Sequence, residues 1–284
     1  SVDSVIFIPQ GGLQFLPLHA AWRLVKGERQ FFLDDFYVSY APSIYSLKVA
    51  QERSLSRSQN GAYVAGVGKY KSKPLAFSEL ETEIVGRMLQ TAPVMNNHVN
   101  KIAVERSVQG KAYLHFSCHG EFAWGTDALN SALYLFNDEK LTLSEILRYD
   151  LNSARRATIS ACESGLIDES IPDEAIGLPA GLIQAGVAST VTTLWPVDEL
   201  STSLLMDVFY DQLINQGQPA QKALQNAQAW LREATNEEIK EKLRNYNSSQ
   251  AKKAYIALSV FNDAPDDKRF RHPYYWAAFT FTGG

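Results

Sequence analysis

Two short segments with the composition of buried β-strands each end in a reactive side chain, with glycine close behind. Leu114–Gly120 reads Leu-His-Phe-Ser-Cys-His-Gly, and Ile159–Gly165 reads Ile-Ser-Ala-Cys-Glu-Ser-Gly. In parallel α/β sheets the reactive groups gather at the carboxyl ends of the strands, where the chain turns into loops. We therefore expect His119 and Cys162 to lie on two neighbouring strand ends at one edge of a sheet.

Strand-like and helix-like segments alternate along the chain. Further buried strands are predicted at Ala62–Gly68 and Val187–Leu194, and segments with helical apolar spacing lie between the strands. This alternation predicts an α/β fold with a mostly parallel central sheet that helices cover on both faces. One of these helices is expected to begin at Ser78, with Glu81 completing a capping box.

Two polar segments bear on how the chain is organised. Gln51–Gly61 has almost no apolar side chains and reads as a solvated connector, so we expect residues 1–56 to form an N-terminal subregion and residues 62–284 the catalytic core of a single domain. The charge-rich Glu233–Lys253 favours a solvated helix or a mobile insertion. Because the chain begins at Ser1 and enters a strand almost at once, we expect it to be the C-terminal part of a longer protein.

The composition excludes several classes of protein. Hydrophobic residues make up 45% of the 284 positions, which is enough for a sizeable core. A net charge of −4 with dispersed basic residues gives no electrostatic footprint for direct nucleic-acid binding. No apolar stretch approaches the length of a membrane helix, and no secretory leader is recognisable. With only two cysteines, Cys118 and Cys162, a reducing compartment and thus the cytoplasm are expected.

The residue types at the two strand ends favour acyl transfer. A thiol attacks a carbonyl only as the thiolate, so a nucleophilic Cys162 needs a positioned base, which His119 can supply. The backbone N–H groups of Gly120 and Cys162 are candidates for an oxyanion hole. Peptide hydrolysis is the most natural reaction for such a pair.

Other interpretations of the same residues are weaker. A zinc site built from His115, His119 and the two cysteines is disfavoured, since the adjacent Cys118 and His119 point to opposite sides of an extended strand. We expect Cys118 to be a small buried hydrophobe and His115 to be a structural side chain. A redox-sensing pair of Cys118 and Cys162 remains an alternative. No metal and no cofactor are expected.

Seven segments together resemble the CHAT family, the caspase-like domain often found behind tetratricopeptide repeats. They are Phe7–Leu18, Tyr40–Ser43, Leu114–Gly120, Ser160–Gly165, Gly181–Val187, Leu194–Asp198 and His272–Phe279. The resemblance implies a caspase-like three-layer α/β/α sandwich, with His119 as base and Cys162 as nucleophile of an endopeptidase. It also implies a protein substrate and regulation by an N-terminal repeat or sensor region. A catalytically idle interaction module of the same fold is the alternative.

Substrate preference is left open by the sequence. The Leu194–Asp198 segment resembles a separase stretch that helps to build the pocket for the substrate's P1 side chain. Asp198 and Glu199 are therefore candidates for an acidic pocket wall that would receive a basic side chain, and Trp195 is a candidate for the peptide groove. The alternative is that Asp198 caps the following helix and that the tryptophan belongs to the core.

Overall fold

A computed structural model describes residues 3–56, 60–71, 73–121, 123, 129–160, 167–168, 176–260 and 264–283. The strands of this part are β1 (Ser4–Phe7), β2 (Trp22–Val25), β3 (Glu28–Phe31), β4 (Tyr37–Tyr40), β5 (Ala62–Gly66), β6 (Lys69–Tyr70), β7 (Lys73–Pro74), β8 (Val94–Met95), β9 (Tyr113–Ser117), β10 (His119–Glu121), β11 (Ala132–Tyr134), β12 (Lys140–Thr142), β13 (Arg156–Ser160), β14 (Ile167–Asp168), β15 (Ile176–Gly177), β16 (Ser189–Thr193) and β17 (Phe279–Gly283). The α-helices are α1 (Phe32–Asp35), α2 (Ile44–Ser56), α3 (Ser78–Met88), α4 (Lys101–Val108), α5 (Leu143–Ile146), α6 (Leu178–Gln184), α7 (Glu199–Tyr210), α8 (Ala220–Glu233), α9 (Asn236–Arg244), α10 (Ser249–Val260) and α11 (Pro273–Trp276).

Eight of the strands form one mixed sheet in the order β1-β4-β17-β16-β13-β9-β5-β8. Every neighbouring pair in it is parallel except β16 and β17, which are antiparallel. The expected mostly parallel sheet is therefore confirmed. The strands β9 and β13 lie side by side near its centre, so their carboxyl ends share one edge.

Helices cover both faces of this sheet, which makes the fold a three-layer α/β/α sandwich. One face packs against α3, α7 and α8 through a core that includes Leu80, Leu205 and Leu224. The other face packs against α4, α5 and α6 through a core that includes Val104 and Leu182. The side chains of a strand alternate between the two layers, as the pleat requires.

The N-terminal part of the chain belongs to the same sheet as the rest. Strands β1 and β4 extend the sheet beyond β17, with Tyr40 paired to Thr282. The predicted connector Gln51–Gly61 is wrong in its first half, because α2 continues to Ser56. Arg53 in this helix donates a hydrogen bond to the backbone oxygen of Ile183 in α6, which holds α2 against the sandwich.

The charge-rich segment from Glu233 to Lys253 is helical, as the first of its two interpretations expected, but one side of the helices is buried. It forms α9 and the first part of α10, and Ile239 and Leu243 are buried in the same core as α7. Lys242 forms an ion pair with the buried Asp207 of α7. Most of the charged side chains lie on the outer side of these helices while the apolar stripe packs inward, so the helices are solvated on one side only. Among the described residues, no helix is both long and apolar enough to cross a membrane.

Candidate active site

The register of the two central strands aligns the two sequence motifs. Ser117, the last residue of β9, is paired with Ser160, the last residue of β13. His119 follows the first of these positions by two residues, and Cys162 follows the second by the same number. Neighbouring strands lie about 4.8 Å apart. Cys162 itself, together with the rest of 161–166, lies outside the described residues.

His119 begins a second, smaller sheet directly after the central strand. It pairs with Tyr134 across the antiparallel ladder of β10 and β11, and Gly120 pairs with Leu133. The imidazole is half-buried and lines a small cavity of about 30 Å³ at the carboxyl edge of the sheet. Ser117 and Ser160 also line this cavity. The Ser160 Oγ is buried and has no hydrogen-bond partner among the described residues.

Two carboxylates line the same cavity, Glu81 from α3 and Glu199 from the first turn of α7. Glu199 accepts a hydrogen bond from the backbone N–H of Phe77 at 2.9 Å. Burial raises the pKa of Glu199, and the nearby carboxylates of Asp198 and Glu81 raise it further, while the Phe77 bond opposes both. Two carboxyl groups from different helices therefore lie close together in a partly buried space beside His119.

Glu81 was missed as a site residue because the predicted capping box is wrong. Helix α3 begins at Ser78, but no side chain caps it, and Phe77 occupies the N-cap position. The Ser78 hydroxyl instead donates to the backbone oxygen of Ser117 at 3.0 Å, and Glu81 is buried. A signal was present in the sequence: Glu81 falls on the same helical stripe as Ile84 and Val85, where a carboxylate needs a buried partner.

The two adjacent candidates for the pocket wall have different roles in the fold. Asp198 accepts a hydrogen bond from the backbone N–H of Ser201 at 2.9 Å and caps α7. Glu199, one residue later, is directed to the cavity beside His119. The helix cap considered for Asp198 is therefore present, and Glu199 alone of this pair lines the cavity.

Trp195 lies in the loop between β16 and α7. Its indole N–H donates to the backbone oxygen of Tyr274 at 3.0 Å, and its ring packs with Phe15 against Leu194. The tryptophan is not among the residues that line the cavity. It forms an apolar contact between the loop and the N-terminal segment.

Cys118 and His115 point into opposite layers of the sandwich. Cys118 is buried, 6% exposed, in the core that also contains Phe116. His115 is fully buried on the opposite face, where its Nδ1 lies 3.2 Å from the Tyr210 hydroxyl. Both are the buried side chains that the sequence suggested. Within the described ranges, no group of His, Cys, Asp and Glu is arranged to hold a metal ion.

Comparison with solved structures finds the same fold in proteins of very low sequence identity. The chain is similar to a Saccharomyces cerevisiae separase-securin complex, with a TM-score of 0.58 and 11% identity over 100% of this chain and 15% of the matched chain. It is also similar to the Arg-specific cysteine proteinase gingipain R (RgpB) of Porphyromonas gingivalis, with a TM-score of 0.53 and 9% identity over 88% of this chain and 54% of that chain. At such identities the likeness establishes the fold alone.

The family follows from the sequence as a whole. The family model of the CHAT domain matches residues 1–284, and the chain belongs to the CHAT family. A comparison with curated proteins found no match. The chain spans about half of the gingipain chain and 15% of the separase-securin match.

Proposed function

We propose that this domain is a cysteine endopeptidase in which His119 is the general base and Cys162 the nucleophile. The observation that carries the proposal is the pairing of Ser117 with Ser160, which starts both motif loops from adjacent positions at one edge of the sheet. Two residues after each position stand an imidazole and a thiol, the groups that nucleophilic attack on a carbonyl requires. The N–H groups of Gly120 and Cys162 are proposed to stabilise the oxyanion.

We further propose that the cavity receives a basic P1 side chain, lysine or arginine, through Glu199. Its carboxylate is oriented by the Phe77 N–H and is half-buried, so an ion pair formed there is less screened than one on the open surface. The cavity volume of about 30 Å³ matches the tip of a cationic side chain rather than a whole one. Ser160 offers an adjacent hydroxyl to the same group. Asp198 is engaged as a helix cap and is given no part in binding.

The partner of this site is proposed to be a protein substrate, with a repeat or sensor region elsewhere in the protein controlling access to it. A thiolate nucleophile keeps its reactivity best where disulfides do not form, so a reducing compartment such as the cytoplasm is the proposed location. No cofactor takes part in the proposed reaction.

The proposal is tested by intact-mass labelling with a peptidyl electrophile that carries lysine at P1. We expect rapid labelling of the wild type and of Cys118→Ser, slow labelling of His119→Ala, and none at this site in Cys162→Ala. Cys118→Ser is the matched control because it removes the other thiol of the chain. Equal, slow labelling of all four proteins would instead favour a catalytically idle interaction module.

A further inference from the structure

A buried cluster beside the cavity ties helix α3 to the end of strand β9. The Ser117 hydroxyl donates to Glu81 Oε2 at 2.8 Å, and the Ser78 hydroxyl donates to the Ser117 backbone oxygen at 3.0 Å. His115 Nε2 lies 3.1 Å from Glu81 Oε1, with both side chains almost fully buried. Two residues of α3 and two residues of β9 are thus joined next to the end of β9, two residues before His119.

His115 is held on both sides of its ring. Its Nδ1 lies 3.2 Å from the Tyr210 hydroxyl, which in turn lies 3.0 Å from Thr158 Oγ1. Its Nε2 lies 3.1 Å from Glu81 Oε1, a separation too short for a water between them. Because two lone pairs at this distance would repel, a proton lies between Nε2 and the carboxylate.

His115 Nε2–H is therefore the donor and Glu81 Oε1 the acceptor of a buried polar pair. The other ionisable groups near this cluster include His119 and Glu199, which line the cavity, and Tyr113 and Arg156, which act on Tyr210. A buried pair of this kind adds little net stability but restricts the geometry of the groups that it joins.

We infer that Glu81 and His115 form a positioning pair that fixes the end of β9, and through it His119, for reaction with Cys162. Glu81 is unsuited to bind the substrate directly because Ser117 occupies one carboxylate oxygen and His115 the other. Among the described residues, the Glu199 carboxylate accepts hydrogen bonds from the backbone N–H groups of Phe77 and Ala76. The two carboxylates of this cavity therefore have different roles. Glu81 orients the base His119, and Glu199 selects the P1 side chain of the substrate. This inference rests on the proposed function.

The kinetic test compares Glu81→Gln with Glu199→Gln, the same isosteric change on two walls of the cavity. With the lysine-bearing electrophile, we expect Glu81→Gln to lower the maximal inactivation rate about 10-fold to 100-fold and to leave the half-saturating concentration within about twofold. Glu199→Gln is expected to raise the half-saturating concentration and to leave the maximal inactivation rate within about twofold. Glu81→Asp, which keeps the charge, should recover part of the lost rate. A Glu81→Gln protein that loses affinity for the lysine probe but keeps its maximal rate overturns the inference, and so does one that is unchanged in both.

A second measurement needs neither activity nor a change at Glu81. Nitrogen-15 spectra of histidine-labelled wild type, with His115 assigned from His115→Gln, report which ring nitrogens carry protons. We expect Nε2 of His115 to carry a proton, because it faces the Glu81 carboxylate at 3.1 Å, and an unprotonated Nε2 contradicts the inferred pair. Tyr210→Phe removes a single hydroxyl, and we expect it to lower the maximal inactivation rate, as Glu81→Gln does.

The two proposals fail in different ways. If no protein reacts faster at Cys162 than at an ordinary exposed thiol, the peptidase proposal fails, and the spectrum still decides the state of the His115 and Glu81 pair. If the wild type reacts rapidly and Glu81→Gln matches it, the peptidase proposal stands and the positioning role is wrong.

Discussion

The carboxylate of Glu199 accepts a hydrogen bond from the backbone N–H of Phe77 at 2.9 Å, and this bond joins the start of α7 to the loop before α3. The Ser203 hydroxyl, one turn further along α7, donates to the backbone oxygen of the same Phe77 at 3.3 Å. Two walls of the cavity beside His119 are therefore held to each other by contacts with one residue. The backbone of the loop before α3 therefore fixes the position of the Glu199 carboxylate.

Glu199→Gln is expected to reduce the preference for a lysine over a norleucine side chain at P1 by about 10-fold to 100-fold, as the loss of one charge-assisted hydrogen bond predicts. The reaction with the norleucine probe should change little. The measurement is the ratio of second-order labelling rates for the two probes. A ratio that stays at its wild-type value would show that Glu199 is not the source of a preference for a basic side chain.

Asp198→Ala is expected to lower the free energy of unfolding by about 1 kcal/mol while the same ratio of labelling rates is retained. The reason is that Asp198 caps α7 through the Ser201 N–H and is not directed to the cavity. Urea denaturation followed by circular dichroism gives the stability. Asp198→Asn, which can still accept the bond, serves as the control and should remain near the wild type.

Cys118→Ser is expected to destabilise the protein by about 1–3 kcal/mol, because it puts a hydroxyl into an apolar layer. Cys118→Ala should cost less than Cys118→Ser. Chemical denaturation of the two variants and of the wild type measures this difference in stability.

Mild oxidation should leave Cys118 reduced, since the thiol is only 6% exposed. A reversible disulfide between Cys118 and Cys162 would instead support the interpretation as a redox-sensing pair.

His19 makes the stability of the fold depend on pH. Burial lowers the pKa of His19 from 6.5 to about 4, with a backbone bond to Ala277 acting in the opposite direction. Between these two pH values the unfolded chain binds a proton that the folded chain does not, so the free energy of unfolding should fall as the pH drops from 6.5 towards 4. The loss attributable to this group is on the order of 3 kcal/mol, and it is absent above pH 6.5.

The check is the unfolding free energy of wild type and His19→Gln measured from pH 7.5 to 4. The two curves should converge as the pH falls, because the variant lacks the titrating group. His98→Gln, at an exposed histidine, is the control and should run parallel to the wild type. Parallel curves for His19→Gln would contradict a buried, neutral His19.

Local sequence patterns predicted the central architecture because periodicity and burial agree there. The apolar runs around Leu114 and Ile159 were recognisable as buried strands, and Thr142 caps α5 through a capping box as its local sequence favours. The same local logic failed at Ser78 and Glu81, whose spacing matches a capping box. Their side chains bond to strand β9 instead, a partner that lies far away in the sequence.

The sequence by itself determined the layer order, the two motif loops and the candidate base and nucleophile, because each depends on residue type and short-range spacing. Only the tertiary structure decided which carboxylate faces the cavity. Asp198 and Glu199 are adjacent and chemically alike, and their roles separate only because α7 begins between them and turns one inward. The pairing of His115 with Glu81 was likewise invisible, since long-range strand and helix packing sets which buried polar groups meet.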